Sequence, residues 1–163
     1  MLEEKLTQLD WIAGKTHICF TSTDPALLAV DAIVEEQDTA MVLGPAPVLK
    51  YSVESFPALI NRMETQQQQL PGDVIVKKTT SPKRFVAVVY DIDQTPICQW
   101  EWVELALQTI FEQCEQLRIA TLAMPLPGHL YGKLDAEASM GELQMILRER
   151  RSTYPKKILI YKV

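Results

Sequence analysis

Two short stretches carry the residue types that could do chemistry. The first runs Asp24-Pro25-Ala26-Leu27-Leu28-Ala29-Val30-Asp31-Ala32-Ile33-Val34 and continues into Glu35-Glu36-Gln37-Asp38. An acid at the exit of a strand can accept hydrogen bonds from a base or a sugar. It can also cap the turn that Pro25 opens. The four residues after Val34 bring three carboxylates to one place. Such a group can meet a cation, hold sugar hydroxyls or move protons, and it opposes a nearby diphosphate. Acids exposed on a loop are the plainer reading, and Glu35 to Asp38 are expected to lie on one. The second stretch is Thr121-Leu122-Ala123-Met124-Pro125, followed by Gly128-His129-Leu130-Tyr131-Gly132. A loop with two glycines after an apolar strand lets backbone amides approach phosphate oxygens. A helix beginning near Asp135 adds an end that favours anions.

Other chemistries find little support. There is no Gly-x-Ser-x-Gly, no Walker loop and no Gly-x-Gly-x-x-Gly. Cys19, Cys98 and Cys114 show no Cys-x-x-Cys spacing and are expected to be reduced, buried small hydrophobes. Cys98 and Cys114 are placed on one helix, too far apart along a rod to pair. His17 and His129 lack a neighbour at metal-ligand spacing, so neither a metal nor a cofactor is expected.

The elements that must position these residues follow from periodicity. Leu2, Leu6, Leu9 and Ile12 predict an N-terminal helix stopped by Gly14, so residues 1–14 are expected to form a helical extension. Thr16 to Thr21 predicts a strand, and Asp31 to Val34 opens another. Val53, Phe56, Leu59, Ile60 and Met63 predict a helix after the loop containing Gly44 and Pro45. Asp73 to Thr79 is a strand. Phe85 to Tyr90 and Ile119 to Met124 are continuous apolar runs, the mark of inner strands buried on both faces. Ile97 to Leu117 is the longest helix, with Trp102, Leu105, Ala106, Ile110, Cys114 and Leu117 on its apolar face. Asp135 caps a helix bearing Met140, Leu143, Ile146 and Leu147, and Ile158 to Val163 is the last strand. Strands alternating with helices at short connections predict an α/β sandwich with a mixed central sheet of about six strands.

The composition is that of one soluble globular domain spanning residues 1–163: 163 residues, 47% apolar and 23% charged. No apolar run is long enough to cross a membrane, and the N-terminus with Glu3 and Glu4 does not resemble a signal peptide. A cytoplasmic location without membrane contact is the expectation. A formal net charge of −5 argues against a nucleic-acid partner, which needs a basic face.

With these residues in view, the chain resembles the macro domains. Their pattern is Gly-Asp-Ile-Thr, a spacer, Val-Asp-Ala-Ile-Val, then Asn-Ala-Ala-Asn and a glycine-rich loop. Here Val30 to Val34 matches, Glu35 to Asp38 replaces Asn-Ala-Ala-Asn, and the glycine-rich loop shrinks to Gly44-Pro45. The resemblance implies a three-layer sandwich whose ligand is ADP-ribose or a related nucleotide. It assigns the adenine amino group to Asp24, the distal ribose to Asp38, and the diphosphate to the loop Gly128, His129, Leu130, Tyr131 and Gly132. Proline at 127 removes a donor from that loop. Asn61 is the chain's single asparagine and lies elsewhere, so the resemblance implies binding without catalysis. Two alternatives stand beside it. One is an ADP-ribosyl hydrolase with a site rebuilt around Asp38. The other is an interaction domain with a degenerate ligand site, assembling through its N-terminal helix or as a homo-oligomer.

Overall fold

The computed structural model describes residues 11–41 and 69–161. The strands are β1 (Trp11–Ala13), β2 (Thr16–Thr21), β3 (Ala32–Asp38), β4 (Val74–Lys77), β5 (Lys83–Tyr90), β6 (Thr121–Met124) and β7 (Lys157–Tyr161). Two helices, α1 (Trp100–Leu117) and α2 (Ala136–Glu149), and a single 3₁₀ turn, Pro25–Leu27, complete the described elements. The seven strands form one sheet in the order β1-β2-β7-β6-β3-β5-β4. β2, β7, β6, β3 and β5 run parallel, and β1 and β4 are antiparallel at the two edges. The fold is α/β with a mixed sheet, as expected, with one strand more than six.

The extra strand replaces part of the expected N-terminal helix. Trp11–Ala13 pairs with β2 through a tight turn at Gly14, whose φ is +60°. Ile12 is exposed there, and Ala13 alone of the three is fully buried. Its antiparallel pairing with β2 makes it a strand, not part of a helix. Residues 1–10, the Gly44-Pro45 loop and the helix expected through Met63 lie outside the described residues.

β5 and β6 are inner strands, as their sequences predict. Phe85, Ala87 and Val89 of β5 join one apolar cluster with Val103, Leu107 and Ile110 of α1. Val86 and Val88 project to the opposite face and are equally buried. α1 buries Val103, Ala106, Leu107, Ile110, Phe111 and Cys114, a stripe at spacings of three and four. Two expectations for this helix are corrected. Leu105 is 56% exposed, and Cys98 lies ahead of the helix rather than in it. The helix ends where Arg118 turns left-handed, and its amide closes on Cys114 and Glu115. α2 starts at Asp135, whose carboxylate accepts the Ala138 amide at 3.0 Å. It packs beside α1 and against β1.

β3 departs most from expectation. It does not stop at Val34 but runs through Glu35, Glu36 and Gln37 to Asp38, paired with β5 along its whole length. The physical reason lies in β5. A strand buried on both faces cannot leave its backbone donors and acceptors unpaired, so its neighbour continues for as long as it does. The acids therefore become strand residues, and Glu36, Gln37 and Asp38 are buried rather than exposed on a loop.

Candidate functional site

The carboxyl ends of five parallel strands share one edge of the sheet. β3 and β6 pair only at Ala32–Leu122 and Ile33–Ala123, and then diverge. A split between neighbouring parallel strands is where open α/β sheets hold ligands. Here the chain's own side chains bridge it. Val34 has lost its partner on β6, and the Tyr161 hydroxyl donates to its carbonyl at 2.6 Å from β7. Two residues further on, the Glu36 carboxylate spans the gap. One oxygen accepts the Tyr90 hydroxyl at 2.7 Å, and the other accepts the Gly128 amide at 2.8 Å.

Glu36 is 3% exposed and borders a small apolar pocket lined by Ala87, Val89, Val103, Ala106 and Pro127. Burial among such groups disfavours its charge and pushes its pKa up to about 7. The Gly128 amide, the Tyr90 hydroxyl and His129 pull the other way, more weakly. Its neighbours respond in turn. Burial, then the charge of Glu36, raises the Tyr90 hydroxyl far above its usual range. The same two causes push the Cys98 thiol up to about 12, so Cys98 is a thiol and not a nucleophile near neutral pH. Burial, then Glu36, raises Tyr161 as well.

The loop after β6 turns as its glycines allow. Gly128 has φ +69°. A Cβ on it would lie 2.6 Å from Leu134 Cδ1, and one on Gly132 would lie 2.4 Å from Cys98 Cβ. Both glycines are therefore pressed against the protein itself. A bulkier residue at Gly132 would disturb the loop's own packing. The loop's donors are partly spent. His129 N bonds Leu126 O at 3.2 Å, Leu134 N bonds Gly128 O at 3.2 Å, and Tyr131 N reaches the Tyr90 hydroxyl at 3.4 Å. The exposed His129 ring meets Leu134 O through Nδ1 at 2.7 Å. Asp135 holds the first turn of α2, and Ser139 Oγ ties that helix to Pro127 O at 2.6 Å. Among the described residues, the amides of Leu130 and Gly132 have no acceptor.

The remaining candidates are spread along the same edge. Asp24 follows β2 and is exposed. Its Oδ1 caps the 3₁₀ turn through the Ala26 amide at 2.9 Å, the capping role expected of Asp-Pro, and its second oxygen is turned to no described residue. Asp38 ends β3, fully buried, and accepts the Ala40 amide at 2.8 Å. Glu35 lies on the opposite face of β3, ion-paired with Arg84 of β5. Among the described residues no three metal-ligating side chains come together, and no helix is long and apolar enough to cross a membrane.

Sequence reasoning missed the link between Tyr90, Glu36 and Gly128. Two signals pointed to it. A tyrosine closing a buried apolar strand needs a partner for its hydroxyl. Glu36 shares the parity of Ala32 and Val34, and so the core face, once the strand is extended.

No protein-family profile matches the chain, and no curated protein matches it by sequence. Solved structures do resemble it. The macrodomain of Thermus aquaticus DarG is 21% identical with a TM-score of 0.64, over 90% of this chain and 98% of that one. The macrodomain of Mycobacterium tuberculosis DarG is 16% identical with a TM-score of 0.67, over 91% of this chain and 99% of that one. An Oceanobacillus iheyensis macrodomain with ADP is 13% identical with a TM-score of 0.66, over 95% and 88%. At these identities the likeness is one of fold, and the fold of this chain is that of the macrodomains.

Proposed function

We propose that this domain binds ADP-ribose or a related adenine nucleotide, without catalysing a reaction on it. One observation carries the reading. Among the described residues the Leu130 and Gly132 amides have no acceptor, in the loop that follows β6 where β3 and β6 diverge. Amides left open in a glycine-bearing loop suit an anionic group. The Oceanobacillus iheyensis macrodomain has been solved with ADP and, as a mutant, with ADPR. In this reading the loop from Gly128 through His129, Leu130 and Tyr131 to Gly132 faces the diphosphate. The second oxygen of Asp24 accepts the adenine amino group. Asp38 shapes the ribose end from its buried position. The non-catalytic part of the reading draws on two features: Asp38 is fully buried, and Cys98 is held as a thiol.

The test is calorimetry with ADP-ribose, ADP, NAD and adenosine, beside an assay for release of ADP-ribose from a modified protein. Saturable binding of the adenine ligands without turnover is the expected outcome. Asp24→Ala should weaken adenine ligands by about 1–3 kcal/mol, the worth of a hydrogen bond to a charged group. Turnover abolished by Asp38→Ala would replace this reading with a hydrolase. A second reading, a protein-contact scaffold with a degenerate site, draws on the Gly128 amide and the α2 N-terminus already being held by the chain's own carboxylates. It would be favoured if no nucleotide shifts the protein's melting temperature.

A further inference from the structure

Glu36 sits where the proposed ligand needs an open donor. Its carboxylate already bonds the Gly128 amide at 2.8 Å, at the start of the loop assigned to the diphosphate, and is held there by the Tyr90 hydroxyl at 2.7 Å. Tyr90 also receives the Tyr131 amide at 3.4 Å, so one hydroxyl ties the carboxylate to the middle of the loop. The chain thus supplies its own anion to its own anion loop. We infer that Glu36 determines which ligands this site admits, its carboxylate competing with a ligand's diphosphate for the Gly128 amide and for the space beside it. The inference rests on the nucleotide-binding reading above.

The consequence is a preference that changes with the proton on Glu36. Charged, it repels a diphosphate across a poorly solvated gap and keeps the stronger, charge-assisted bond to the amide. Neutral, it loses the repulsion and holds the amide less firmly. Neutral ligands such as a nucleoside feel neither effect. The change falls near neutral pH, because burial brings the Glu36 pKa up to about 7. Among the described residues, the titratable and charged groups around Glu36 are Tyr90 on β5, Cys98 ahead of α1, His129 on the loop after β6 and Tyr161 on β7. Tyr90, Cys98 and Tyr161 are all shifted upward and stay neutral across this window. Glu35 and Arg84 pair on the other face of β3.

The experiment compares the full chain with Glu36→Gln and Glu36→Ala between pH 5.5 and 8.5. Calorimetry uses ADP-ribose as the probe, because its diphosphate charge is constant over this range, and adenosine as the neutral control. If only the protonated form binds, the native protein should take ADP-ribose about tenfold more tightly at pH 6 than at pH 8. Both variants should bind with no such slope, and Glu36→Ala most tightly at pH 8. Adenosine should show no slope in any protein. A slope that survives in Glu36→Gln does not arise at Glu36 and overturns the inference. Equal ADP-ribose affinity and equal pH response in all three proteins also overturn it, while leaving the nucleotide reading standing. If Glu36→Ala does not fold, Glu36→Gln carries the comparison alone. A separate readout needs no ligand: the Gly128 backbone amide resonance should move with pH around 7 in the native protein and stay flat in Glu36→Gln. A flat resonance in the native protein overturns the inference whatever binds. If the resonance moves but no nucleotide binds any of the three at any pH, the nucleotide reading falls and takes the gate with it.

Discussion

Glu35 and Glu36 are neighbours on one strand, and the two faces of β3 treat them oppositely. Glu35 turns to the face where Arg84 waits on β5, and its side chain keeps 16% of its surface in solvent. A full opposite charge compensates its own. Glu36 turns to the face packed on α1, where among the described residues its hydrogen bonds come from neutral donors, a tyrosine hydroxyl and a glycine amide. Hydrogen bonds alone offset less of the lost hydration than a countercharge would, so burial prevails and the acid weakens. The difference teaches what makes a carboxylate useful near neutral pH. It is the face of the strand that decides, not the residue type or its place along the chain.

The comparison can be sharpened first through pH. Between pH 4.5 and about 7 the folded chain keeps the Glu36 proton that the unfolded chain has released, so raising pH favours unfolding. The loss is complete above about pH 7 and amounts to roughly 3 kcal/mol, at 1.36 kcal/mol for each pH unit. Denaturant titrations at pH 5, 6, 7 and 8 should show that decline in the native protein and lack it in Glu36→Gln. Identical curves would mean that the two faces do not differ as described.

A smaller effect is expected from Tyr90→Phe. It takes a donor from buried Glu36 and an acceptor from the Tyr131 amide, which should cost about 1–3 kcal/mol. Because the Tyr90 bond lowers the Glu36 pKa, its loss should move the stability decline to higher pH. An unmoved decline would show that the hydroxyl does not reach the carboxylate in solution.

The smallest effect belongs to the outer face. Arg84→Ala should cost about 1 kcal/mol or less, since the Arg84 side chain is 37% exposed and water screens the pair. The cost should shrink further in high salt. It should leave the pH 5–7 decline unchanged, because the decline arises on the other face. A large, salt-insensitive loss would put Glu35 in the same buried class as Glu36.

Much of the fold was legible in the residues. Phe85 to Tyr90 and Ile119 to Met124 announce inner strands, because only a strand covered on both sides can be apolar on successive residues. The stripe through Ala106, Ile110 and Cys114 and the cap at Asp135 mark α1 and α2 through local rules of spacing and hydrogen bonding. The edges were less legible. Trp11–Ala13 is too short to show a period, and only its pairing with β2 makes it a strand.

The sequence by itself therefore determined the class of the sheet, its central strands and the place of a glycine-bearing loop at their carboxyl ends, because these rest on periodicity and on turn chemistry within a few residues. Only the tertiary structure decided what Glu35, Glu36 and Asp38 are. Their place in a strand was imposed by the backbone of β5, 49 to 54 residues away in the Arg84 and Tyr90 contacts. The Gly128 amide that completes the Glu36 site lies 92 residues away. A carboxylate's acidity depends on the dielectric and the donors around it, and those are supplied by segments that meet only when the chain has folded.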